Sequence, residues 1–405
     1  MRRRQALRVA AGALFGVPVL ASSKPLAFQA LTTPGPLAQI AAGGPSGLLG
    51  MSAHGALFVL PLQPGGVALR LAEELDAGTP VAAGHGRIAA RRRDGALWVL
   101  EGERVAVSAE RNLAPAAGLL ILPLAVIAVA MDAKGHRAVR LEPSVSATWS
   151  VVARSDMAVL PDARPLQADL DGSGDGGHVV VLAGPDSERY THGVLGDAVE
   201  ATRIVLLERH SLRVMRELVL EAPHVFEDIA PRNVALRPGL LREGLLTVQS
   251  GPQGGQMLLV DADPSAPRLL RIAARGPALG TANRWLSPIT DGRHWLAVHT
   301  PHIGGALHVY GQDGSRLLAR RVRGDVSNHR IGSRLLDMSA WQGQRLLLPD
   351  QSGRHLLLLD AASDWRLVSE HPLPSRVAAL VSLEAPGRVA VLLDDGSVMF
   401  GSVAG

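Results

Sequence analysis

The stretch HWLAVHTPHIGGALHVYGQDGSRLLARRVR, residues 294–323, holds three short apolar runs parted by two turns, one with Thr-Pro and Gly-Gly, the other with Asp-Gly. Runs rich in Val, Leu and aromatic residues between such breakers read as an antiparallel meander, and no 3.6-residue periodicity competes with that reading. The stretch also carries His299, His302 and His308, three histidines within twelve positions. His308 falls mid-strand in ALHVY and reads as a sheet residue, His299 ends the strand before it, and His302 stands in the loop ahead of Gly304 and Gly305. The spacing matches no helical HExxH pattern, so metal ligation by His302 would need partners from elsewhere in the chain.

The strand ALHVYGQ (306–312) recurs in outline as ALFVLPL (56–62), ALWVLEG (96–102), RAVRLEP (137–143), IVLLERH (204–210), MLLVDAD (257–263) and HLLLLDA (355–361). Each follows a turn and another apolar strand, and most precede a further strand such as VALRLAE, RVAVSAE, RELVLEA or LLARRVR. A repeat of roughly 40–65 residues with about four strands per unit is what a single all-β propeller needs, whereas solenoids repeat sooner. Units beginning near residues 37, 79, 117, 163, 224, 284, 335 and 377 make eight blades. Seven is the alternative, because AAGLLILPLAVIAVAM (116–131) divides in more than one way. The last unit is one strand short, since VAALVSL, RVAVLLD and SVMFGSV exhaust the chain; PLAFQAL (25–31) is expected to supply the missing strand and close the ring.

The chain has 405 residues, 47% hydrophobic and 19% charged, which supplies a large core. Its formal charge of +4 is matched by Arg2, Arg3, Arg4 and Arg8 in a segment without acids, residues 1–23, so the remainder is neutral and nucleic acid is not an expected partner. That segment, MRRRQALRVAAGALFGVPVLASS, combines a basic head, an apolar stretch and small residues suited to signal peptidase. It predicts a signal peptide over 1–23 and a propeller domain over 24–405, with no stable membrane anchor after cleavage because the apolar stretch is too short to span a bilayer. Arg3-Arg4-Gln5-Ala6-Leu7-Arg8 resembles the twin-arginine signal, which implies Tat export of a folded chain to the periplasm or beyond. The sequence contains no cysteine, so neither disulfides nor a lipidated cysteine contribute.

With strands lettered a to d from the axis outward, the b–c loops and the d–a connections of a propeller open on one face, and the a–b and c–d turns on the other. Rich loops fall on the first face in blades 4 to 7: 184–201, 221–233, 250–256, 274–285, 299–305, 323–334 and 349–354. They present Tyr190, His192, His302 and His329 as catalytic candidates, and Asp228, Arg232, Asn283, Arg284, Asn328, Arg330, Asp350 and Gln351 as ligand-binding candidates, with His224, Glu227, Gln253 and His299 nearby. Arginines there can pair with a carboxylate or phosphate, and Tyr190 and Trp285 offer flat surfaces to a sugar or peptide. This pattern predicts a binding or assembly protein for a small polar or anionic ligand or a periplasmic protein. The alternative is a hydrolase or lyase, metal-assisted or not, with a histidine base, Tyr190 as acid and an arginine stabilising negative charge. No GxSxG elbow is present.

In ADLDGSGDGGHVVVLAG (168–184), Asp169, Asp171, Ser173 and Asp175 place oxygens at alternate positions of a glycine-rich turn, as a calcium loop does. A plain Asx-turn hairpin is the competing reading. The segment resembles the FG-GAP/VCBS repeats of integrin-like and exported bacterial propellers, with Ser173 where that pattern has Asp and Gly176-Gly177 at its downstream acidic position. The resemblance implies a structural calcium between strands a and b, on the face opposite the rich loops. The longer run from RYTHGVLGDAVEA through FEDIAPR, SGPQGGQ, NRWLSP, HTPHIGG and SNHRIGSR to LPDQS is similar to exported bacterial VCBS-type proteins, which implies fold and export but no reaction.

Overall fold

The computed structural model describes residues 26–63, 65–144, 148–174, 176–237, 242–336 and 338–403. The expected signal peptide, residues 1–23, and Asp175 lie outside them. The described strands fall into four-strand antiparallel meanders over residues 37–72, 82–107, 120–158, 166–219, 232–275, 286–324 and 340–372. These are numbered units 1 to 7, with strands a to d in chain order. Unit 8 joins Val377–Ser382, Arg388–Leu393 and Val398–Val403 to Leu26–Ala30 from the other end of the chain. Leu26 pairs with Val403 and Ala30 with Met399, so the expected closing strand is in place.

Inner strands read as near-continuous apolar runs because they are covered on both faces. In HLLLLD of unit 7, Leu356 to Leu359 are all buried, and in unit 3 Val126 to Ala130 have almost no exposure. Outer strands differ: Arg316–Gly324 alternates exposed arginines with Leu317, whose buried side chain faces inward. Charge on the rim keeps open sheet edges from pairing with other chains. Side chains of neighbouring units meet in shared apolar clusters, unit 1 with 2, 2 with 3, 6 with 7, 7 with 8, and 8 with 1, while units 3 to 6 share one larger cluster. Contact of unit 8 with unit 1 closes the ring. The chain is an all-β propeller, and among the described residues no helix is long and apolar enough to cross a membrane.

Unit starts agree with the sequence pattern to within a few residues except in unit 5, whose strand a is Arg232–Ala235 instead of a strand near residue 224. The apolar pair Val225–Phe226 is extended, as its composition suggests, but it bridges two units: Phe226 pairs with Ala201 of unit 4 and with Gln249 of unit 5. Burying Phe226 completely between the units carries the next two residues, Glu227 and Asp228, into the interior.

Candidate functional site

His299, His302 and His308 divide as their positions suggest. His299 and His308 stack with ring centroids 3.7 Å apart, and His299 Nε2 lies 2.6 Å from the Tyr310 hydroxyl. Burial, and then His308, depress His299 to about 3, so this pair is a neutral part of the sheet. His302 leaves the sheet. Its Nε2 is 2.9 Å from His329 Nδ1, and its ring stacks parallel to the buried indole of Trp285 at 6.2 Å.

The loops that the sequence places on one face do interlock. Glu227, fully buried, takes His192 Nδ1 at 2.5 Å on one carboxylate oxygen and the Ser250 hydroxyl on the other, while its carbonyl accepts from Trp285 Nε1 at 3.0 Å. Burial raises the Glu227 carboxyl and His192 opposes the rise. Tyr190 accepts the Asn283 N–H at 2.7 Å, and its hydroxyl is pushed up to about 12 by burial and by Glu227. Asp228 takes Arg232 at 2.5 Å, the Thr247 hydroxyl at 3.0 Å and two backbone N–H groups. Gln351 accepts from Gly305 N at 2.6 Å and donates to the Pro301 carbonyl at 2.8 Å. Gly305 permits this approach, since a Cβ there would lie 1.9 Å from the Val326 carbonyl oxygen.

The candidates therefore come together, with differing exposure. Asn328 is fully buried on Ser287, and Arg232 serves Asp228. Asp350 caps its own turn through Arg354 N and His355 N. Arg330 donates to the Val377 carbonyl at 2.9 Å and lies 3.4 Å from Asp394. Arg284 and Gln253 are exposed, and His224 points toward Gly251 on the flank of units 4 and 5.

Sequence reasoning missed a second layer. The connection from unit 6 to unit 7 crosses toward unit 4: Gly332 N donates to the Val194 carbonyl, and Arg334 pairs with Asp162 at 2.7 Å and Asp197 at 2.5 Å. Glu200, at the start of strand c of unit 4 (Glu200–Leu207), is 3% exposed beneath that crossing. Burial, then Glu227, Asp197, Asp162 and Asp228, push its carboxyl up to about 10. Arg334 follows Arg330 by four residues and could have been flagged with it; nothing in sequence marks Glu200 as different from any polar strand end.

On the opposite face, Asp169 accepts three backbone N–H groups of its own loop, from Gly172, Ser173 and Gly174, and Asp171 accepts a second bond from Ser173. This is an Asx-type turn built from the residues proposed as calcium ligands. Among the described residues no group of three or more His, Asp or Glu side chains is arranged to hold a metal ion.

No protein-family model matches the chain, and no curated protein matches it in sequence. Solved structures do. BamB from Moraxella catarrhalis aligns over 93% of this chain and 98% of its own, with a TM-score of 0.55 at 14% identity. The computationally designed Ika8 protein aligns over 92% and 98%, with 0.56 at 12% identity, and the Dos1 propeller over 94% and 95%, with 0.53 at 10% identity. Likenesses at this identity establish the propeller fold and leave the repeat family open.

Proposed function

We propose that the chain is an exported propeller of eight blades acting as a binding or assembly protein, which offers the loop face of units 4 to 7 to a partner protein in the periplasm. One observation carries the reading: the loops are anchored to one another through Glu227, Gln351 and Arg334, while Ile303 and Ile331 stay 57% and 70% exposed among them. A platform whose loops are already tied to one another loses little freedom on binding, and large apolar side chains projecting from a polar surround suit a protein contact. Export is supported by the reading of residues 1–23. The Asp169 loop acts in this account as a structural hairpin, with calcium as its secondary reading.

The test is a pair of variants. Ile303→Asp with Ile331→Asp is expected to lose a protein that co-purifies with the unaltered chain from its own periplasm. Leu124→Asp, in the a–b turn of unit 3 on the opposite face and equally exposed at 70%, is expected to keep it. Retention by the double variant refutes the assignment. The Glu227–His192 pair favours a second reading, a hydrolase or lyase with His192 as base. Turnover abolished by His192→Gln at unchanged melting temperature would establish that reading instead.

A further inference from the structure

We infer that the recess among units 6, 7 and 8 is a binding pocket for a carboxylate bearing a neighbouring hydrogen-bond donor, as found at a polypeptide C-terminus or in a free α-hydroxy acid. This rests on the loop face being a binding surface and names the group it receives. The recess has a volume of about 370 Å³. That is small for a ligand site and suits one or two residues.

Its chemistry follows from counting which lining groups are already used. The Asp350 carboxylate accepts from Ser352, from Arg354 N and from His355. Asp394 accepts from the Ser375 hydroxyl and faces Arg330, and both ends of Gln351 are spent on neighbouring backbone. His329 is tied at both nitrogens. Its Nε2 lies 2.8 Å from the Ser333 carbonyl, which only accepts, so Nε2 carries the proton and Nδ1 is the acceptor. His302 therefore donates from Nε2 to His329 Nδ1. Burial holds both rings neutral, near 4, so His302 Nδ1 keeps a lone pair that meets no donor among the described residues.

Among the described residues two guanidiniums line the recess, and Arg330 is engaged with the Val377 carbonyl and Asp394. Arg376, in the connection from unit 7 to unit 8, is exposed, and among the described residues its guanidinium donates no hydrogen bond, acting on Asp394 only through space. An unused guanidinium and an unused imidazole lone pair in one recess select an anion and a donor on the same ligand. The terminal residue of a peptide provides both, its carboxylate for Arg376 and its backbone N–H for His302. Ile331 at the edge and the buried Met338 within give its side chain apolar contact.

Calorimetric titration of the mature chain with small probes tests this. N-acetylalanylleucine is expected to bind, and its C-terminal amide about tenfold more weakly, the ratio that a lost charge-assisted hydrogen bond produces. Arg376→Gln, a surface change, should weaken the acid about tenfold and leave the amide unaffected. Leucic acid should bind more tightly than isocaproic acid, which lacks the donor, and His302→Leu should erase that difference. Tighter binding of the acetyl dipeptide than of leucic acid assigns the pocket to polypeptide ends, and the reverse assigns it to free hydroxy acids. Equal binding of acid and amide, or an Arg376→Gln variant that binds the acid normally, overturns the proposal. Neither result alters the co-purification readout at Ile303 and Ile331.

Discussion

Glu200→Gln should make the protein more stable, by an amount that grows with pH. The side chain is 3% exposed and makes no hydrogen bond among the described residues. Burial, followed by Glu227, Asp197, Asp162 and Asp228, raises its carboxyl to about 10. Across neutral pH the folded protein therefore keeps a proton that the unfolded chain has lost. Because the folded state binds the extra proton, stability is fullest below the ordinary carboxyl range and falls as pH rises toward the folded value, by about 1.4 kcal/mol per unit. Glutamine has nearly the same shape as the protonated acid and does not titrate. Glu227 and Asp162 are also raised, but they remain in both proteins, so the difference isolates residue 200. Urea denaturation of both proteins at pH about 5.5 and 7.5 should show the variant's advantage increasing by about 3 kcal/mol across that interval. Parallel pH profiles, or a variant less stable than the parent at the higher pH, would refute the placement of a neutral acid beneath the crossing loop.

Arg334→Gln leaves Asp162 without its cation, and a loss of about 2–3 kcal/mol is expected at neutral pH, below the full cost of breaking a buried pair because Arg334 is itself partly exposed. The loss should shrink in acid, where Asp162, already raised by burial, takes up a proton; chemical denaturation at two pH values measures it. Gly305→Ala forces a Cβ against the Val326 carbonyl and should cost roughly 1–3 kcal/mol, or displace the loop of His302, seen as altered tryptophan fluorescence from Trp285. Asp169→Ala removes an acceptor of three N–H groups and should lower the melting temperature, whereas EDTA should leave it unchanged if the turn is held by those bonds alone. A chelator-induced fall would return calcium to that loop.

Much of the fold was legible because inner strands covered on both faces must be apolar throughout, as HLLLLD and AVIAVA are, while turns between them demand glycine or Asp-Gly. The one displaced boundary has the same cause. Val225 and Phe226 satisfy the local rules for a strand, and only the register across units 4 and 5 shows that they bridge two sheets. In the site, loop richness identified where polar residues gather but not what each one holds. Asn328 and Gln351 are as polar as ligand-binding residues, yet their partners are Ser287 and the backbone at Pro301 and Gly305, far away in sequence, while Arg232 is spent on Asp228 four residues before it. Arg376 escaped notice for the opposite reason: it sits in a short, plain connection, and its significance comes from the recess that distant loops build around it.

We propose that the loop face of units 4 to 7 is where this propeller meets a partner protein. A photo-crosslinking amino acid at Ile331, compared with the same group at Leu124, addresses it under native expression, because the two positions are equally exposed at 70% on opposite faces. One saturable adduct is expected from Ile331 and none from Leu124. Adducts from Leu124 alone would move the interaction to the other face and contradict it.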